Sequence, residues 1–117
     1  LAGLIEVEIK KYISDRTSWQ KMLKNIIVEE VNLSKSKINL LNKLPNELKI
    51  YKSNNNDITQ LLYPVDIFPE KVKSIGFDKN EEIFGRLSGI KGQYLIFDDG
   101  RVLNVRKHNG YKVQIEI

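Results

Sequence analysis

The chain contains no cysteine, so neither a disulfide framework nor a thiolate metal site exists within its 117 residues. Histidine occurs once, as His108, which removes a histidine-cluster metal centre and leaves a nucleophilic triad without support. No apolar run approaches the ~20 residues of a membrane-spanning helix, and no signal peptide precedes the first helix. A membrane partner is therefore not expected, and a reducing cytoplasmic setting fits. Only three prolines occur, at 45, 64 and 69; the first stops a helix, and the other two keep their preceding residues extended. Residue 1 is leucine, and the sequence opens in mid-helix without a capping residue, so the chain reads as a fragment of something longer.

What is present is enough for one ordinary core. With 41% hydrophobic residues, a chain of 117 residues buries roughly two-thirds of its unfolded surface. The formal charge is +4 and the pI near 9.2, a mild excess whose distribution says more than its size. From residue 86 onward Arg86, Lys91, Arg101, Arg106, Lys107 and Lys112 face only Asp98, Asp99 and Glu116. The preceding stretch 66–82 is net acidic, so positive charge gathers toward the C-terminal part.

Residues 85–111, GRLSGIKGQYLIFDDGRVLNVRKHNGY, combine turn chemistry, strand alternation and basic side chains. Asp99-Gly100 and Asn109-Gly110 each place a pair tolerant of positive φ between β-prone runs, which predicts three consecutive antiparallel strands. The last, 111–117, alternates Tyr111, Val113, Ile115 and Ile117 with Lys112, Gln114 and Glu116, predicting one buried and one solvated face. Further strands are expected over 72–77 and 83–90, where Gly85, Gly89 and Gly92 permit coiling and close backbone approach.

Upstream the periodicity is helical. Leu1, Ile5, Ile9 and Ile13 mark a helix over 1–14. Thr17 and Gln20 match a capping box for a second helix, in which Trp19, Met22, Leu23, Ile26 and Ile27 form an amphipathic stripe ending near Val31-Asn32. A third helix is expected from Ser34 to Pro45 with Ile38, Leu41 and Leu44 inward, and a short turn through Tyr51 after it. The expected fold is α+β: a helical segment 1–52, a connector 53–70 opened by the Ser-Asn-Asn-Asn-Asp run, and 71–117 as a small antiparallel barrel or curved sheet of SH3-like or OB-like kind, with the helices packed on it as one unit.

The motifs GIKGQYLIFDDGRVLNVRKHNGYKV, LAGLIEVEIKKYISDRTSWQKML and LLYPVDIFP resemble the C-terminal portion of an uncharacterised bacterial family, domain-of-unknown-function family 2797. That resemblance spans 1–113 and implies an upstream cysteine-rich, zinc-ribbon-like segment and a further strand-rich region, but no established activity. The first helix, with Ala2, Glu6, Ile9 and Lys10, is also similar to the glutamate helix of GIY-YIG nucleases. The likeness implies Glu6 as a divalent-metal ligand only together with an absent N-terminal part, because a lone carboxylate cannot hold Mg²⁺ and also activate the nucleophile. No catalytic set, metal site or cofactor is expected in this chain itself. Glu6 also stands one turn before Lys10, the order of an ordinary surface ion pair.

Arg106, Lys107 and His108 precede the Asn109-Gly110 turn, and a cationic tip with free backbone N–H groups can grip phosphate. A nucleic-acid-binding accessory module is the function expected, with Arg86, Arg101, Arg106, Lys107 and Lys112 on phosphates and His108 and Asn109 at the tip. A structural or protein-interaction domain is the competing class, and the C-terminal part of a metal-dependent nuclease a third. Tyr94 and Phe97 are out of phase along one strand, so at most one is free to stack on a base, and Tyr111 is expected in the core. Asp98 and Asp99 read as exposed turn formers. The expected partners are DNA or RNA, the chain's own N-terminal region, and a second copy docked through the exposed first helix.

Overall fold

A computed structural model describes residues 1–27 and 30–117. It contains helices α1 (Ala2–Ile9), α2 (Trp19–Leu23), α3 (Leu33–Lys43) and α4 (Asn46–Lys49), then strands β1 (Lys73–Ile75), β2 (Leu87–Lys91), β3 (Tyr94–Phe97) and β4 (Arg101–Asn104), closed by a 3-10 turn over Val105–His108. The arrangement is α+β. Its contacts divide it into a helical unit, Leu1–Ser18 with Ile27–Leu61, and a sheet unit, Trp19–Ile26 with Leu62–Ile117.

In the helical unit α1 ends at Ile9, short of the expected residue 14, and Tyr12 lies in the turn that follows, its ring under the Lys43 ammonium at 5.0 Å. Asn32 caps α3 by accepting from the Lys35 N–H at 2.9 Å, so the helix starts one residue before the expected Ser34. Pro45 ends it, because the residue before proline is pushed out of the helical region. Leu44 is buried and Leu41 half-buried as the periodicity requires, whereas Ile38 is exposed. Lys37 ties α3 to the polar run, donating to the carbonyls of Ser53 and Asn55 and to the Asn56 side chain.

The sheet unit holds the core. Strand order is β1-β4-β3-β2, with β2/β3 and β3/β4 antiparallel and β1 parallel to β4, so the sheet is mixed and open rather than a closed antiparallel barrel. Asp98, Asp99 and Gly100 join β3 to β4: Gly100 takes φ +82° and donates its N–H to the Phe97 carbonyl, as the Asp-Gly signal predicted. Gly92-Gln93 joins β2 to β3 in a two-residue loop with positive φ at its first position, the type II′ arrangement. The outer edge of β2 is covered by the 64–66 segment, through Ile90 N–H to Pro64 O and Asp66 N–H to Ser88 O. At the Val65–Gly89 bridge a side chain on Gly89 would collide with Val65.

Two expectations fail here for identifiable reasons. Asn109-Gly110 does not turn a hairpin, because Asn104 caps the chain first: its side chain accepts from the Lys107 N–H and winds Val105–His108 into a 3-10 turn. Gly110, at φ +86°, then ends that turn, and residues 111–117 join no strand. Tyr111, Val113 and Ile115, expected in the core, are more than half exposed.

The stripe of α2 also stops early. Asn25 adopts φ +56°, Ile26 N–H bonds to the Lys21 carbonyl and Asn25 N–H to that of Met22, which is the Schellman pattern that ends a helix. Ile26 and Ile27 are accordingly exposed, and the part of the expected helix that falls on residues 28 and 29 lies outside the described residues. The remaining turn and a half docks through Leu23, fully buried with Ile96 and Val102, while Trp19, Met22, Val65, Val72 and Tyr94 surround that cluster. Trp19 stacks on Tyr94 with centroids 5.9 Å apart and planes 10° from parallel.

Lys91 fastens this helix end. Buried at 8% exposure, its ammonium donates to the Met22 carbonyl at 2.9 Å and to Asn25 Oδ1 at 3.1 Å, and it lies about 5 Å from the ring centres of Tyr63 and Phe68. Among the described residues its partners are dipoles and ring faces, with no carboxylate. Lys91→Met keeps the stem and removes the donors. It is expected to cost about 1.5–3 kcal/mol and to red-shift the fluorescence of Trp19 as α2 loosens; an unchanged spectrum and unfolding midpoint would remove Lys91 from this role.

Candidate functional site

The residues expected to bind phosphate do not share one surface. Arg101 and Arg86 lie at the end of the sheet where β3 turns into β4: the Arg86 carbonyl accepts from the Asp98 N–H, and Arg101 opens β4. Arg106, Lys107, His108 and Asn109 lie beyond the opposite end of β4, whose four residues span roughly 13 Å. Lys112 is further along, beside a groove of 580 Å³ that also involves Glu81, Glu82 and Glu116.

At the first end Arg101 is committed within the fold. Its Nε donates to Asp99 Oδ2 at 2.6 Å, an Nη donates to the Phe84 carbonyl, and the guanidinium lies 5.4 Å from the Phe97 ring centre. Asp99 also accepts from the Arg101 backbone N–H at 3.0 Å, and that bond, with the guanidinium beside it, holds its carboxyl below the usual carboxylate range. Asp98 and Asp99 are exposed turn residues, as read from the sequence.

At the second end the four neighbours differ in role. Lys107 Nζ pairs with Asp78 Oδ2 at 3.1 Å, while the Tyr111 hydroxyl donates to Asp78 Oδ1 at 3.1 Å. His108, expected at an accessible tip, is 8% exposed: its ring meets Phe77 and Tyr111 edge-on at 5.3 and 5.1 Å, and neither ring nitrogen has a hydrogen-bond partner among the described residues. Gly76 makes room for that ring, since a Cβ there would stand 2.9 Å from His108 Nε2. Asn109 closes the 3-10 turn through its N–H to the Arg106 carbonyl. Arg106 stands apart. It enters no ion pair among the described residues and lines a shallow trough of 320 Å³ with Ile90, Gly92, Gln93, Tyr94, Leu95 and Val105.

The Lys107 ammonium, and after it the Tyr111 hydroxyl, lower the pKa of Asp78, and the hydrogen bond from Tyr111 raises the pKa of that hydroxyl. A carboxylate with a lowered native pKa adds stability that is complete above the ordinary carboxylate range and is lost as pH falls through the lowered value. The pair is solvent-exposed, so the contribution is small. An NMR titration of the Asp78 carboxyl is expected to show a midpoint below the usual range that rises in Lys107→Ala. An unmoved midpoint would mean that the pair does not persist in solution.

The nuclease-like glutamate has an ordinary setting. Glu6 Oε1 pairs with Lys10 Nζ at 2.9 Å, one helical turn on, and Lys10 also meets Asp15 at 3.2 Å. Among the described residues no group of three histidine, cysteine, aspartate or glutamate side chains is placed to hold a metal ion, and no helix is long and apolar enough to cross a membrane.

Residues 1–113 match the model of the family described as "Protein of unknown function (DUF2797)". The chain belongs to this family. The match takes in α1 through Val113 and so includes both ends of the sheet, whereas the likeness of α1 to GIY-YIG nucleases gains no support. No curated protein and no solved structure matches the DUF2797 chain. What its site does must therefore be argued from its own residues.

The trough is the feature the sequence reading passed over. Its walls come from the β2-β3 loop and the start of the 3-10 turn, which Val105 N–H joins by a 2.9 Å bond to the Gln93 carbonyl. The signal was the Gly92-Gln93 pair between two strand-like runs.

Proposed function

We propose that this DUF2797 chain is a non-catalytic nucleic-acid-binding module that takes a single-stranded segment at the Arg106 end of its sheet. The observation that carries the reading is the juxtaposition of an exposed arginine, in no ion pair among the described residues, with an apolar trough walled by Ile90 and Val105. A single strand offers alternating phosphate charge and apolar base faces, and a cation beside an apolar wall is complementary to both. Lys107 is a lesser contributor because Asp78 already holds its charge, and His108 is buried between Phe77 and Tyr111, out of the strand's reach.

The test is a fluorescence-anisotropy titration with single-stranded oligonucleotides of DNA and RNA. Arg106→Ala is expected to weaken binding about tenfold, while Lys107→Ala weakens it less than about threefold, each phosphate contact being worth on the order of 1 kcal/mol at low salt. Equal losses in the two variants, or none in Arg106→Ala, would overturn the assignment.

Protein interaction is the second reading. It is favoured by Phe84, 76% exposed at the rim of the groove that also carries Val113 and Gln114.

A further inference from the structure

Residues 111–117 are a strand sequence without a strand partner. Tyr111, Val113, Ile115 and Ile117 alternate with Lys112, Gln114 and Glu116, and such alternation is the pattern of a half-buried β-strand. Yet Val113 is 52% and Ile115 80% exposed, and among the described residues no backbone hydrogen bond involves 112–117. Their charges are equally uncommitted: neither Lys112 nor Glu116 enters an ion pair among the described residues, and the Gln114 amide merely donates to Glu116 at 3.2 Å. Exposed apolar side chains, unpaired backbone and free charges in one run define an edge that seeks a partner strand.

The order of the side chains identifies that partner. We propose that residues 111–117 pair antiparallel with the same segment of a second copy of this chain, about a two-fold axis through Gln114. In that register Lys112 faces Glu116 of the other copy twice over, Gln114 faces Gln114, Val113 faces Ile115, and Tyr111 faces Ile117. Every cross-strand pair is then matched in character, opposite charges on one face and apolar residues on the other. Neighbouring registers lose this. A slip of one residue sets apolar side chains against polar ones, and parallel pairing sets lysine on lysine and glutamate on glutamate. An isologous contact of this kind needs only one patch that is complementary to itself, and the segment meets that condition. Ile83 and Phe84, across the groove from 111–116, offer the apolar strand face something to rest on.

Two strands alone are marginal, so association is expected to be weak, with a dissociation constant of roughly 10–500 µM. Sedimentation equilibrium over about 10 µM to 1 mM measures it. Lys112→Glu places Glu opposite Glu116 at both ends of the pair and is expected to weaken the dimer about tenfold; Glu116→Lys is expected to do the same. The double variant Lys112→Glu/Glu116→Lys restores opposite charges in the same register and is expected to recover the original constant. Circular dichroism serves as the folding control, and because the segment lies outside the sheet all three variants are expected to keep the native spectrum. A protein that stays monomeric to 1 mM overturns the proposal and leaves the segment to a different partner. So does a dimer whose constant is the same in all four proteins, which would place the contact elsewhere, for example on α1, or a double variant no tighter than the single ones. None of these outcomes bears on the Arg106 trough.

Discussion

Replacing Ile96 by alanine is expected to destabilise the sheet unit by about 2–5 kcal/mol, as read from urea unfolding. Ile96 is fully buried on β3, an inner strand, and forms the central cluster with Leu23 of α2 and Val102 of β4. Truncation removes its transfer energy and leaves a cavity whose walls are fixed by strand pairing on both sides, so collapse is limited. Ile90, 42% exposed on the neighbouring strand, gives the contrast: Ile90→Ala is expected to cost less than about 1 kcal/mol. Similar losses at the two positions would mean that the core is not where this structure puts it.

The second large effect concerns two glycines with the same backbone sign and different surroundings. Gly92 has φ +58° and nothing within 4 Å of where a Cβ would stand; Gly100 has φ +82°, and the Lys71 carbonyl oxygen occupies that space. Gly92→Ala is expected to cost only the left-handed penalty, about 1–2 kcal/mol. Gly100→Ala adds a collision with backbone that the β1-β4 pairing holds in place, since Lys73 N–H bonds to the Gly100 carbonyl at 3.0 Å, and is expected to cost at least about 3 kcal/mol. Thermal unfolding of the two variants measures the difference. Equal costs would show that β1 does not lie against the Gly100 turn.

These positions also mark what was legible in the sequence. Asp99-Gly100 announced its turn because the pair sits between two runs that do become neighbouring strands, and local chemistry was enough. Asn109-Gly110 carries the same signal but ends a 3-10 turn, because Asn104, five residues earlier, captures the Lys107 N–H before a fifth strand can begin. A turn dipeptide reports a tolerated backbone conformation; it does not say which element the turn closes. The apolar stripe through Ile26 and Ile27 misled in the same way, since Asn25 in the left-handed region stops α2 and periodicity cannot see a stop signal placed inside it. Trp19 and Leu23 read correctly as core-facing, but nothing local says that they pack on a sheet 70 residues away in sequence.

For the candidate site, residue type was legible and placement was not. Composition gathered Arg86, Arg101, Arg106 and Lys107 into one basic region, yet β4 carries Arg101 and Arg106 to opposite ends of the sheet. Arg101 and Lys107 found carboxylates from their own fold, whereas Arg86 and Arg106 are exposed and enter no ion pair among the described residues, and of these two it is Arg106 that lines the trough. His108 shows the limit most clearly: a lone histidine after two cations reads as a tip, and the 3-10 turn rotates it inward between Phe77 and Tyr111.

The claim that Arg106 contacts phosphate is tested most directly by the salt dependence of single-stranded oligonucleotide binding, in the protein and in Arg106→Ala. Counterion release predicts that log K falls linearly with log salt, with a slope of about −0.7 per phosphate contact on a single strand. The account predicts a salt-dependent wild-type affinity whose slope shrinks by about 0.7 when Arg106 is removed. An affinity indifferent to salt, or a slope that Arg106→Ala leaves unchanged, would contradict it.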